Sequence, residues 1–272
     1  MKHKAAVEPA DNLKIVVHHG EDGFYSYSYM NRDYSIGRMP INWPDGMKND
    51  FFCVPVHTLH GELIAIDCCY RPPGAASYGG ALVGQSFISA QDLLLNQLLF
   101  IEQQAEFFRQ HGLLCSLTID FQQARAVVES TFIQQILSHL PFIRLKLSEH
   151  FPNLHDGMNN PLLRTLVEQL NILWLDDLGS GCANLHALQS NMFEAVKLER
   201  CFYRENVCKP WFSVLIKHIR RYANRVIVEG VADDEQLQTL YSSDIWAVQG
   251  YFMPMMAFDH LRYAIAARGD GG

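Results

Sequence analysis

Eight short apolar runs, separated by longer segments with a helical pattern, recur through most of this 272-residue chain. They fall at residues 52–57, 63–67, 113–119, 143–148, 171–176, 195–198, 226–229 and 245–248. The clearest helical pattern runs from Ser89 to Gly112, where Leu93, Leu94, Leu98, Ile101, Ala105 and Phe108 form an apolar stripe that the glycine closes. Others cover 121–139, 158–169, 209–224, 233–242 and 258–267. Alternating strands and helices call for a parallel sheet, and eight such strands call for a closed barrel. One connection breaks the rule. Only Thr58 to Glu62 separate the first two runs, whereas a parallel crossover needs about a dozen residues. The first two strands are therefore expected to be antiparallel. The predicted fold is α/β, a modified (β/α)8 TIM-like barrel with an antiparallel first strand.

The first fifty residues read differently. Leu13 to Val17, the turn Gly20-Glu21-Asp22-Gly23 and Phe24 to Met30 form a hairpin pattern. Asn31 to Asp50, rich in Gly, Pro, Asn and Asp, reads as irregular. The chain thus divides into an extension over 1–50, which packs on the barrel or serves as a partner surface, and a barrel domain over 51–268. With 49% hydrophobic and 19% charged residues, the chain can bury a large core. A formal net charge of −7 without a long basic run excludes bulk attraction to nucleic acid. No apolar stretch is long enough to span a membrane, and no apolar segment follows the basic residues of the N-terminus as a secretory leader requires. Seven scattered cysteines, none in a C-x-x-C pair, fit the reduced thiols of a cytoplasmic protein.

Functional groups of such barrels sit at the C-terminal ends of the strands. In order these ends carry Asp67, Thr118, Lys146 with Glu149, Asp176 with Asp177, Lys197, Glu229 and Gln249. A ring of carboxylates with a lysine suits a divalent-metal site that hydrolyses a phosphodiester, two ions about 3.5–4 Å apart clamping the phosphate and activating water. The pair Asp176-Asp177, followed by Gly179-Ser180-Gly181, is the strongest signal. Lys146 stands where the same chemistry asks for a carboxylate. In the other register it faces the helices, and Glu149 supplies the carboxylate.

Four ordered stretches carry a family resemblance: Leu175-Asp176-Asp177-Leu178-Gly179-Ser180-Gly181, Val196-Lys197-Leu198-Glu199-Arg200, Val228-Glu229-Gly230-Val231 and Gln249-Gly250-Tyr251. Together they resemble the EAL domain, a family of cyclic di-GMP phosphodiesterases and their non-catalytic relatives. The chain is most similar to the short stand-alone EAL proteins of enterobacteria that act on flagellar and fimbrial regulation. The resemblance implies a modified barrel of the same kind and a site in which Asp67, Asp176, Asp177 and Glu229 hold metal. It also implies that Lys197 acts on the catalytic water, with Asp177 beside it in the catalytic set, and that Arg71 contacts the phosphate. Lys146 and Gln249 are further substrate-binding candidates, Lys146 as a phosphate contact in a receptor that does not cleave.

The departures are as informative. The Glu-Ala-Leu signature falls on Asp67-Cys68-Cys69, the Asn ligand on Thr118 and a Glu ligand on Lys146. The last Glu of Glu-Gly-Val-Glu is Ala232, and the Gln of the first strand is Val54. A lysine aimed into a metal site repels the ion and can itself neutralise Asp176 or Glu229. The expected function is a degenerate, catalytically silent regulator in cyclic di-GMP-linked signalling that binds a protein partner, by resemblance a transcription regulator of motility or adhesion. The alternatives are a Mg2+- or Mn2+-dependent cyclic di-GMP phosphodiesterase and a receptor that binds cyclic di-GMP without cleaving it. A homodimer is a further expectation; nucleic acid and membrane are not expected partners.

Overall fold

The computed structural model describes residues 16–19, 25–29, 32–36, 51–70, 89–181, 185–258, 260–262 and 265. Arg71, the loop that follows it and Cys182 lie outside the described residues. The chain forms two units, Met1–Asn49 and Asp50–Gly272. In the first, β1 (Val16–His19), β2 (Tyr25–Tyr29) and β3 (Arg32–Ile36) make an antiparallel sheet in that order. The hairpin reading holds for β1 and β2, with His19 opposite Tyr25. The irregular reading of 31–50 is corrected over 32–36, where Tyr29 pairs with Arg32 and Tyr25 with Ile36. The alternation in Arg32-Asp33-Tyr34-Ser35-Ile36 is a strand pattern that the surrounding Gly, Pro and Asn had masked.

The second unit is the barrel. Its staves are β4 (Phe51–Thr58), β5 (Leu63–Tyr70), β6 (Leu114–Thr118), β7 (Ile143–Ser148), β8 (Leu173–Leu178), β9 (Phe193–Leu198), β10 (Arg225–Glu229) and β11 (Ala247–Gln249). Neighbours from β5 to β11 are parallel, while β4 runs antiparallel to both β5 and β11 and so closes the ring. A ninth strand, β12 (Met256–Ala257), pairs with the start of β4 outside the ring. The short connection between β4 and β5 is a turn in which Glu62 C=O accepts from Thr58 N–H at 2.8 Å. Gly61 takes a φ of +86° there, open to glycine at no steric cost.

Local chemistry sets the helix ends. Ser89 caps α1 (Ala90–Gln103), and α2 (Ala105–Gln110) follows it. Asp120 and Gln123 form a reciprocal capping box on α3 (Phe121–Glu129). The continuous helix expected over 121–139 is two helices, because the Ser130 hydroxyl accepts from Ile133 N–H and starts α4 (Thr131–His139) anew. Asn160 caps α5 (Pro161–Glu168), which has proline in its first turn. Two helices went unread, α6 (Leu185–Leu188) and α7 (Arg200–Asn206). The first is a single turn, and the second starts from a glutamate, Glu199, an uncommon capping residue. Then come α8 (Phe212–Ile219) and α9 (Asp234–Leu240), the latter capped by Asp233.

The lower half of the barrel is filled by Trp174, which is 2% exposed and packs with Val56, Ala65, Ala195, Ile227 and Ala247. Three of these neighbours are alanines, which leave the space an indole needs. The Trp174 indole N–H donates to Glu194 Oε2 at 2.8 Å, and Arg144 Nε donates to the same oxygen at 2.7 Å. Arg225 Nη1 donates to Glu194 Oε1 at 3.1 Å, and its guanidinium lies 4.4 Å from the centre of the Trp246 ring. The end opposite the strand C-termini is thus closed by two indoles and one carboxylate held by three donors.

Candidate functional site

Side chains alternate across a strand, so a residue near each C-terminal end must point inward and upward. On β5 that residue is Asp67, on β6 Ser116, on β7 Lys146, on β8 Asp176, on β9 Lys197 and on β11 Gln249. All six are at most 8% exposed. Lys146 therefore points into the barrel mouth, and the alternative register, with its ammonium toward the helices, is set aside.

The mouth is built around two ammonium groups. Lys146 Nζ lies 2.6 Å from Asp67 Oδ2 and 2.8 Å from Asp176 Oδ2. Lys197 Nζ lies 2.8 Å from Asp176 Oδ1, 3.3 Å from Glu229 Oε2 and 3.8 Å from Asp67 Oδ2. The remaining positions are taken as well. Ser116 Oγ donates to Asp67 Oδ1 at 3.1 Å, and Gln249 Nε2 donates to Asp67 Oδ2 at 3.0 Å. Arg200 Nη2 donates to Glu229 Oε1 at 2.8 Å, and the Asp177 N–H donates to Asp176 Oδ1 at 3.0 Å.

Burial alone would discharge these groups, but their mutual attraction outweighs it. Desolvation pushes the Asp176 carboxyl up, yet Lys146 and Lys197 hold it well below the usual carboxylate range. Burial likewise favours a neutral Lys146 amine, and Asp176 with Asp67 reverses this and holds it well above the usual lysine range. Lys197 behaves in the same way, raised chiefly by Asp176 against its burial. Both lysines are therefore ammonium ions at neutral pH, and neither offers a free amine to take a proton from water.

The other expected residues are placed differently. Asp177 is half-buried, with a left-handed φ of +56°. Its carboxyl is raised by burial and by the neighbouring Asp176 charge, and it makes no hydrogen bond or ion pair of its own among the described residues. Thr118 is exposed and not joined to the cluster. Glu149 is buried but points at the next loop, where its Oε2 accepts from Gly179 N–H at 2.8 Å. It anchors the glycine turn after Asp177 rather than joining Asp67 and Asp176. Two contributors were missed, Ser116 and Arg200. Ser116 lies two residues before Thr118 on the inward face, so strict alternation along β6 would have found it. Arg200 comes from α7, which went unread. Gln249 Oε1 is buried without a hydrogen-bond partner among the described residues.

The chain belongs to the EAL domain family, whose profile matches residues 79–255. That match begins after β5, so Asp67 and Arg71 lie before it. Cyclic di-GMP phosphodiesterase PdeH of Escherichia coli is 31% identical over 166 residues, which cover 60% of this chain and 63% of PdeH. YdiV of Escherichia coli is 28% identical over 173 residues, covering 62% of this chain and 73% of YdiV; YdiV proteins of Salmonella are named anti-FlhC(2)FlhD(4) factors. The crystal structure of EAL-like domain protein YdiV superposes with a TM-score of 0.69 at 23% identity, over 80% of this chain and 97% of that one. The barrel with its reversed first strand is thus a fold shared with solved EAL structures.

The donor set does not fit the divalent metal that this family implies. Every oxygen of Asp67 and Asp176 already accepts from a nitrogen or a hydroxyl, and the space between the two carboxylates holds Lys146 Nζ. Among the described residues no three His, Cys, Asp or Glu side chains are arranged to hold an ion. No helix among them is long and apolar enough to cross a membrane.

Proposed function

We propose that this EAL-family chain is a degenerate, catalytically silent regulator that acts by binding a protein, a transcription regulator of motility or adhesion. The observation that carries the reading is the Lys146 ammonium, 2.6 Å from Asp67 and 2.8 Å from Asp176. A fixed charge on the chain stands where hydrolysis of a phosphodiester needs a dissociable one. It satisfies the two carboxylates permanently, supplies no activated water, and repels an incoming cation. Without such an ion the barrel keeps its shape and its outer surface but not the chemistry. The likeness to YdiV supports a protein partner of the FlhC(2)FlhD(4) kind.

Two experiments test this. Purified protein with Mn2+ is expected to leave cyclic di-GMP intact, and calorimetry is expected to register binding to purified FlhC(2)FlhD(4). Turnover of cyclic di-GMP would put the phosphodiesterase reading in its place. Calorimetry of cyclic di-GMP in EDTA separates the receptor reading, which requires heat release there. The combined reversal Lys146→Glu, Asp67→Glu and Thr118→Asn is expected to create Mn2+-dependent thermal stabilisation absent from the parent.

A further inference from the structure

The outer face of α8 combines two features rarely left in water together. Phe212, Ile216 and Ile219 face inward and are at most 2% exposed. On the opposite side Trp211 is 46% exposed and Val214 65%. The 3.6-residue period carries that stripe on to His218, whose ring packs against Tyr222 at 5.5 Å.

Around this stripe the charge is one-sided. Of the chain's 22 Lys and Arg residues, seven fall between Arg200 and Arg225, and Glu205 is the only carboxylate there. Four of the seven are engaged: Arg200 with Glu229, Arg204 with the Gly230 carbonyl, Arg220 with Asp244 and Arg225 with Glu194. Lys209, Lys217 and Arg221 are exposed and make no ion pair among the described residues. In a chain whose net charge is −7, this segment is a local reversal of sign, and it carries the exposed Trp211.

We infer that the α8 face docks an acidic segment of a partner protein, with a nonpolar side chain of that segment seated against Trp211 and Val214 and its carboxylates on Lys209, Lys217 and Arg221. The occupant follows from charge complementarity. A basic rim selects carboxylates, and an exposed indole with an aliphatic neighbour is the composition of an interface centre. A nucleic-acid backbone would use the rim alone and leave Val214 uncovered. This inference rests on the protein-binding reading above and names the surface and the partner chemistry for it.

The test titrates labelled full-length chain with two probes, purified FlhC(2)FlhD(4) and a synthetic amphipathic helix with leucine on one face and glutamate on the other. Two variants accompany the parent, Trp211→Ala with Val214→Ser, and Lys209→Glu with Lys217→Glu and Arg221→Glu. Thermal unfolding confirms that both variants fold. Both probes are expected to bind the parent, and each variant to weaken both by about tenfold or more. For the acidic helix, affinity is also expected to fall as NaCl rises from about 50 to about 300 mM. Binding of the helix but not of FlhC(2)FlhD(4) supports the docking face and removes the regulator reading. FlhC(2)FlhD(4) binding that both variants retain keeps the regulator reading and overturns the docking face. Failure of both probes overturns both. Two further outcomes overturn the acidic-protein assignment: a parent dimer in sedimentation velocity that either variant converts to monomer, or a DNA duplex bound in preference to the helix.

Discussion

The barrel has a charged cluster at each end, and they are built on opposite principles. At the bottom one carboxylate, Glu194, is surrounded by donors: Arg144, Arg225 and the Trp174 indole. At the mouth three carboxylates, Asp67, Asp176 and Glu229, share two ammonium ions. The bottom cluster is a seal. Its acceptor is saturated, Arg225 lies against the Trp246 ring, and nothing about it requires a dissociable ligand. The mouth gathers three carboxylates around two fixed ammonium ions, with Lys146 Nζ between Asp67 and Asp176. Buried ion pairs contribute little net stability over well-packed nonpolar groups, while breaking one is costly. The charge at the mouth is therefore a poor device for holding the fold together compared with a nonpolar filling.

Substitutions that remove one charge should hurt both clusters, the mouth more. Asp176→Ala takes a partner from two buried lysines at once and is expected to cost about 4 kcal/mol in urea unfolding. The double change Lys146→Met with Asp176→Leu should recover most of that loss, since it removes both members of one buried pair, 2.8 Å apart. Failure to recover would mean that the mouth cluster does hold the barrel together. Glu194→Ala strands Arg144 and is expected to cost about 3 kcal/mol. Here a nonpolar rescue is not expected, because Arg225 and the Trp174 N–H also lose their acceptor.

The pH dependence sharpens the contrast. The Asp176 carboxyl is held below its ordinary value, so its contribution to stability is complete above about pH 4 and is lost as pH falls through its folded value. The Lys146 ammonium is held above its ordinary value, so its contribution is complete below about pH 10 and is lost as pH rises through its folded value. The stability difference between the parent and Asp176→Asn should therefore shrink on acidification below about pH 4. A constant difference there would mean that Asp176 titrates normally. Trp174→Phe drops the bond to Glu194 and leaves part of the indole's space empty, with an expected cost of about 2 kcal/mol. Little change in that variant would show that neither the indole's volume nor its bond to Glu194 secures this end of the barrel.

Much of this was legible before any coordinates. All eight staves lie where apolar runs place them, and the reversed first strand follows from the brevity of the segment Thr58 to Glu62. Asp67, Lys146, Asp176, Lys197, Glu229 and Gln249 were found by reading strand ends, because alternation and barrel geometry fix which side of each stave faces the mouth. What the residues could not disclose was pairing. Lys146 has several carboxylates in reach, and only three-dimensional placement selects Asp67 and Asp176 over Glu149. Ser116 was hidden inside an otherwise apolar run, and Arg200 by an unusual helix cap. The break at Ser130 was overlooked because apolar periodicity continues on both sides of it.

Two glycines carry a last consequence. A Cβ on Gly179 would fall inside the Phe202 side chain, and one on Gly230 inside that of Arg200; both backbones have positive φ. These are demands of packing around α7, independent of any reaction. The spelling of the segments Asp177-Leu178-Gly179 and Glu229-Gly230-Val231 is therefore set by shape at these two positions, whatever the mouth does. Signatures of this kind report the packing of a helix against strand ends, and their presence alone certifies no activity.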